Sequence, residues 1–342
     1  MRVRPGLKRI VVTLVALVLI GVAFGVVLPR LASYSSVWHA VRELKWEWLL
    51  ALVAATVLNV VTFGPPWSIA LPGLGFLDSI KMTQASTAVT LVVPGGAPLG
   101  MGVSYGMLRS WGFGSAEVGR SVALTGIWSQ LSTFAFPIFA VVGLAVEGKG
   151  GAGVLVIALL GAALFVGGGI VVGLALWRPG AAQVAFRAAR AVNAAWNKLL
   201  RREQPEWSSE SFESFRSETL AMLKDRWLPL TVATLANQLT GFLMLDLSLR
   251  AVGIGTGQVD VVESFAAWSV GRLITSLPLT PGGLGLVELG LTGLLVGFGG
   301  PNAKVVAGVL VYRVFSIVPT LLLGLLSALT WRTGHDPAES RG

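Results

Sequence analysis

Hydrophobic residues along this chain fall into runs too long for the core of a soluble domain, with charged residues gathered between them. A bilayer core of about 30 Å takes about 20 apolar residues as a helix. Residues 10–28 meet that length, behind Arg2, Arg4, Lys8 and Arg9 with no acidic residue among them. The run is longer than the roughly 7–15 apolar residues of a signal peptide. We therefore expect an uncleaved first span with a cytoplasmic N-terminus, because basic flanks stay inside. Residues 49–71, 118–146, 151–177, 228–252 and 304–331 read as five more spans, for six in all. Trp48, Trp177, Trp227 and Trp331 sit at span ends, where amphipathic rings anchor at the interface.

Two further apolar stretches are broken. Residues 79–111 are cut by Pro94, Gly95, Gly96 and Pro98, and residues 261–298 by Pro278, Pro281, Gly282 and Gly283. Proline removes a backbone donor and glycine loosens the helix, so each stretch is expected to break near its middle. Such backbone survives at membrane depth only inside protein or beside a wet cavity. Both stretches therefore read as re-entrant helical hairpins. Four short tilted spans would leave the rest of the topology unchanged, since each stretch would then cross twice.

The two halves resemble one another. Val93-Pro94-Gly95-Gly96 leads to Gly112-Phe113-Gly114, and Thr280-Pro281-Gly282-Gly283 leads to Gly297-Phe298-Gly299. Asn59 and Asn237 lie at similar depth in the preceding spans, Asp78 and Asp260 open the hairpins, and Pro137 and Pro319 lie inside the spans that follow. Residues 49–146 and 228–331 thus read as two repeats. With the N-terminus inside, the first repeat begins outside and the second inside, so the repeats are inverted. Inverted repeats with discontinuous helices meeting at the midplane suit alternating access.

Composition agrees with this reading. Of 342 residues, 54% are hydrophobic and 13% charged, against about 25% charged in a soluble domain; mean hydropathy is +0.75. The whole reads as one all-α polytopic membrane domain. The absence of cysteine excludes a disulfide scaffold and thiolate metal sites, and two distant histidines, His39 and His335, argue against a histidine-based site. No metal or cofactor is expected. The glycine runs lack the strand–turn–helix setting of a nucleotide loop. The net charge of +9 is best spent on topology rather than on nucleic acid. Residues 178–226, with nine Lys/Arg against six Asp/Glu, read as a cytoplasmic helical connector; a C-terminus on the same side follows from the span count.

Charge inside the apolar elements is concentrated in the second half: Asp246, Arg272, Glu288 and Arg313. Each costs about 2.5–3.5 kcal/mol at bilayer centre on insertion scales, so each demands a partner or water. Arg272 lies nine residues before Pro281 and Glu288 seven after it, a spacing that lets a hairpin bring them together. An Arg–Glu bridge that merely fixes the hairpin is one reading. The other is a cavity of net positive charge, in which the guanidinium fork suits a phosphate. Asn59 and Gln84 are further cavity candidates, with Ser86, Thr87 and Gln130 behind them; helix–helix hydrogen bonding is the commoner use of such residues.

The segment from Arg272 through Pro281-Gly282-Gly283 to Glu288, with Tyr312, Arg313 and Pro319, resembles the lysylphosphatidylglycerol synthase transmembrane-region family, also called flippase-like domain proteins. The Pro94-Gly95-Gly96 stretch, with Gly100 and Gly112, is similar to that family's looser first motif, without the acidic residue many members place after its glycine. The resemblance implies a lipid-translocating membrane domain over roughly residues 10–331, with Arg272, Glu288 and Arg313 on the family's pattern. The soluble aminoacyl-transferring part of such synthases is not expected, and neither is an enzyme activity. The leading expectation is a cell-membrane flippase for an anionic lipid, either a phospholipid or a polyprenyl-phosphate-linked precursor. A non-transporting partner of a lipid-modifying enzyme or glycosyltransferase is the second. A membrane-embedded transferase is the third, weakened by the isolation of Asp78, Asp260 and Glu263.

Overall fold

The computed structural model describes residues 42–93, 96–149, 152–177, 209–276 and 280–331. The expected first span, and the connector as far as residue 208, lie outside them. Among the described residues the fold is helical without strands: α1 (Trp46–Thr62), α2 (Gly64–Ala70), α3 (Phe76–Val92), α4 (Ala97–Ser110), α5 (Ser115–Val146), α6 (Ala152–Trp177), α7 (Ser209–Ala251), α8 (Val261–Ser276), α9 (Leu286–Gly297) and α10 (Asn302–Thr330). Four stretches are long and apolar enough to cross a membrane: Trp46–Ala70, Ser115–Val146, Ser217–Ala251 and Asn302–Thr330. Helix α6 runs 26 residues beside them.

Local chemistry sets the boundaries. Val93 precedes Pro94 and is extended (φ −97°, ψ 131°), as steric clash with a following proline requires. Pro98 falls in the first turn of α4, where the missing N–H costs nothing. Gly112 at φ 93° and Gly299 at φ 109° end α4 and α9 in the left-handed region. Three helices start the same way: Glu117, Glu263 and Glu288, each in a first turn, accept the N–H three residues back, from Gly114, Asp260 and Gly285, at 2.9, 2.8 and 2.7 Å.

Helices α3 and α4 form one broken hairpin, and α8 and α9 the other. Their bases lie at opposite ends of the bundle. At one end the Trp331 indole N–H donates to Ser110 Oγ (2.9 Å), Arg226 donates to the Ile69 carbonyl (3.1 Å), Ser121 Oγ donates to the Ala70 carbonyl (2.8 Å), and Arg120 pairs with Glu218. At the other, Lys149 beyond α5 pairs with Asp260 and, at 3.3 Å, with Glu263 at the start of α8, while Lys304 donates to the Gly253 carbonyl (3.0 Å). The tips meet between these ends, where Leu91, Val92, Leu284, Ile317 and Leu321 share one apolar cluster.

Helix α3 packs on α10 as α8 packs on α5, and α1 packs on α7. The α1–α7 crossing carries its own reciprocal network. Asn59 Nδ2 donates to Thr240 Oγ1 (2.8 Å), Asn237 Nδ2 to Thr62 Oγ1 (3.3 Å), and the two threonine hydroxyls lie 3.2 Å apart. Glycines admit the hairpin arms: a Cβ on Gly324 of α10 would stand 2.5 Å from Ala88 Cβ and 2.8 Å from the Gln84 carbonyl, and one on Gly143 of α5 would stand 2.8 Å from Val262 Cγ1.

Two outcomes follow. Gly324→Ala meets backbone that cannot yield and should cost about 1–3 kcal/mol, the usual range for overpacking. Gly143→Ala meets a rotatable methyl and should cost less, and Gly293→Ala, in open space, should not lower the melting temperature in detergent. For the clamp outside the spans, burial pushes the Asp260 carboxyl up, but the Lys149 ammonium and the N–H groups of Glu263 and Val262 outweigh it and hold the carboxyl below its ordinary value. A depressed carboxyl contributes stability above its unfolded value of about 3.9 and loses it as pH falls through the folded one. Melting temperature should therefore fall below about pH 4, and Asp260→Asn should flatten that limb.

Candidate functional site

A cavity of about 470 Å3 lies between the two hairpin tips, α1, α5, α7 and α10. Asn59, Gly96, Arg272, Gly282, Gly283 and Arg313 line it, and so do Thr87, Gln238, Trp268, Thr280 and Tyr312. Its size fits a small-molecule or head-group site rather than a packing defect.

Arg272 projects from α8. Its Nη2 donates to Gln238 Oε1 on α7 at 2.5 Å, and its Nε is buried without a partner. Gln238 is itself held: Nε2 donates to the Ser129 carbonyl of α5 at 3.0 Å, with Ser129 Oγ and Thr133 Oγ1 at 3.3 Å. Among the described residues no carboxylate stands within ion-pair distance of Arg272; the carboxylates of the second half are engaged elsewhere. The guanidinium is therefore oriented by Gln238, buried at its Nε and uncompensated.

Glu288 and Arg313 form a separate unit. Arg313 Nε donates to Glu288 Oε1 at 2.5 Å and Nη2 donates to the Gly282 carbonyl at 3.0 Å. The other Glu288 oxygen takes the Gly285 N–H. Gly282, Gly283 and Gly285 have φ of 56°, 71° and 83°, a left-handed run that only glycine tolerates cheaply. Arg313 thus ties α10 to both the tip backbone and the first turn of α9. The spacing argument for an Arg272–Glu288 contact does not hold: Glu288 turns back onto its own helix start and toward α10, while Arg272, nine residues ahead of the break, faces α7.

The remaining expected residues divide. Asn59 joins the α1–α7 network at the edge of the cavity. Gln84 is fully buried on α3, outside the cavity lining, with neither amide atom partnered among the described residues. Gly96 lines the cavity; Pro94 and Gly95 lie outside the described residues, and Pro281 opens the 3-10 turn Pro281–Gly283. Ser86 donates to the Thr83 carbonyl, and Gln130 is exposed. Asp246 pairs with Arg250 one turn on, at 2.7 Å. Sequence reasoning missed Gln238 and Trp268. The signal for Gln238 was its place beside Asn237 and two residues before Thr240 in an apolar span. Trp268 gave none, since its position reads as core. No group of three His, Asp or Glu able to hold a metal occurs among the described residues.

The family described as lysylphosphatidylglycerol synthase TM region matches residues 14–324. The chain belongs to this family. A comparison with curated proteins returns no match. Membership makes this an integral membrane region of the kind associated with lipid biosynthesis or lipid flipping. In this family member, the motif that carries the resemblance is the wall of the cavity: Arg272, the Pro281–Gly283 turn, Glu288 and Arg313 occupy one side of it or brace it.

Glu288→Ala should destabilise the protein by about 3–5 kcal/mol, because it leaves the Arg313 guanidinium, whose side chain is 7% exposed, without its counter-charge. Adding Arg313→Ala should recover part of that loss. Thermal unfolding of the two single mutants and the double mutant in detergent measures the coupling.

Proposed function

We propose that the chain moves an anionic lipid between leaflets by alternating access. In this reading α3–α4 and α8–α9 are re-entrant hairpins entering from the cytoplasmic and outer faces of the cell membrane. The halves are inverted repeats, and both termini are cytoplasmic. The observation that carries the proposal is Arg272: a half-buried guanidinium in a cavity shared by both hairpins, with a buried, unpartnered Nε and no carboxylate at ion-pair distance among the described residues. A charge so placed is costly in a membrane protein unless an anion visits it. A phosphate matches the guanidinium fork bidentately.

The roles then follow from the contacts. Arg272, steadied by Gln238, holds the phosphate. Arg313 and Glu288 form a latch on the hairpin tip that stays paired while Arg272 holds the phosphate. The left-handed glycines Gly282, Gly283 and Gly285 let the tip move without melting α8 or α9. Acyl chains stay in the bilayer while the head group crosses between the tips. The proposal assigns no catalytic residue, and the lipid gradient or an ion gradient supplies the direction.

Proteoliposomes carrying fluorescent phosphatidylglycerol test this. Purified protein should accelerate its exchange between leaflets. Arg272→Ala, folded by its melting curve, should reduce the rate about tenfold or more, consistent with loss of a charge-assisted bidentate contact, and Arg272→Lys should fall between. Absence of protein-dependent movement, with and without an ion gradient, would favour a non-transporting partner of a lipid-modifying enzyme.

A further inference from the structure

The cavity's hydrogen-bonding groups are sorted by direction. Three buried donors of its lining lack a partner among the described residues: Arg272 Nε, Trp268 Nε1 and the Thr280 hydroxyl. All three residues line the cavity, and Trp268 is 2% exposed. An indole N–H and a guanidinium can only donate. Elsewhere in the lining, on α8 and α10, four hydroxyl protons are already used. Thr275 donates to the Gly271 carbonyl (2.8 Å), Ser276 to Arg272 (3.1 Å), Ser316 to Arg313 (3.2 Å) and Thr320 to Ser316 (3.1 Å). These four line the same cavity. Each has its proton turned into its own helix, so its oxygen lone pairs remain to accept.

Charge is the second constraint. Glu288 is occupied by Arg313 and by the Gly285 N–H, so an ammonium entering the cavity finds no free carboxylate and meets the positive field of Arg272. Resting on the proposed phosphate site, we infer that the substrate is a phosphodiester lipid whose head group is an uncharged polyol, glycerol or sugar, rather than one bearing an amine. The phosphate takes the unpartnered donors. The head-group hydroxyls, which both donate and accept, give their protons to Thr275, Ser276, Ser316 and Thr320. A bare alkyl head group leaves those acceptors without donors. An amine head group supplies donors but adds a repelled positive charge.

Competition at constant phosphate charge tests this. Purified full-length protein in detergent is loaded with fluorescent short-chain phosphatidylglycerol and challenged with unlabelled short-chain phosphatidylglycerol, phosphatidylethanol, phosphatidylethanolamine or lysyl-phosphatidylglycerol. Phosphatidylglycerol should displace the probe about tenfold better than each of the other three. The double substitution Ser276→Ala, Ser316→Ala should shrink the ratio between phosphatidylglycerol and phosphatidylethanol. Equal displacement by all four, still weakened by Arg272→Ala, overturns the polyol inference and leaves the phosphate site standing. Preference for either amine-bearing lipid also overturns it. Failure of the probe to bind, or binding untouched by Arg272→Ala, overturns both.

Discussion

Interrupted helices leave backbone donors and acceptors that hydrocarbon cannot satisfy, and the structure is organised around that constraint. The end of α3, where the first break begins, and the Pro281–Gly283 turn are placed against each other rather than against the periphery. The Gly282 carbonyl, freed by the break, is taken by Arg313, and Glu288 completes the arrangement by capping α9 while neutralising Arg313. One ion pair therefore serves three needs: it satisfies a tip carbonyl, starts a helix and fastens α10.

The same constraint explains why one side of the cavity is charged and the other is not. In the first hairpin the position matching the acidic residue holds no carboxylate, and the matching stretch of α5 holds uncharged residues. The α1–α7 crossing is reciprocal, Asn59–Thr62 against Asn237–Thr240, but the electrostatics of the two hairpins differ. Arg272 stands outside this economy. It closes no tip, caps no helix and has a glutamine where a carboxylate would neutralise it. A residue that costs so much and stabilises so little is the natural focus of the proposed function.

Much of the architecture could be read from the chain. Four spans, Trp46–Ala70, Ser115–Val146, Ser217–Ala251 and Asn302–Thr330, followed from apolar run length, and the ends of α3, α4 and α9 from Pro94, Gly112 and Gly299, because those residues act locally. Arg272, Glu288 and Arg313 stood out because charge is rare in such sequence. Their pairing was not legible. It depends on which way Glu288 turns within the first turn of α9, and the capping hydrogen bond to Gly285 decides that, not the spacing from Arg272. Gln84 looked like a cavity residue by its place in an apolar helix, yet α3 turns it away from the lining while the absence of a side chain on Gly324 lets α10 close over its carbonyl. Gln238 mattered through contacts to Ser129 and Thr133, more than a hundred residues away in sequence, which no local pattern records.

The central claim is that one cavity, holding Arg272, is presented in turn to both faces of the membrane. The chain has no cysteine, so Ser276→Cys places a single thiol on the cavity wall. Its reaction with a membrane-impermeant thiol reagent, added to either face of oriented proteoliposomes, is the most direct measurement. The account predicts modification from both faces, slowed from both by phosphatidylglycerol with its glycerol head group. Modification from one face only, at a rate that phosphatidylglycerol leaves unchanged, would contradict it.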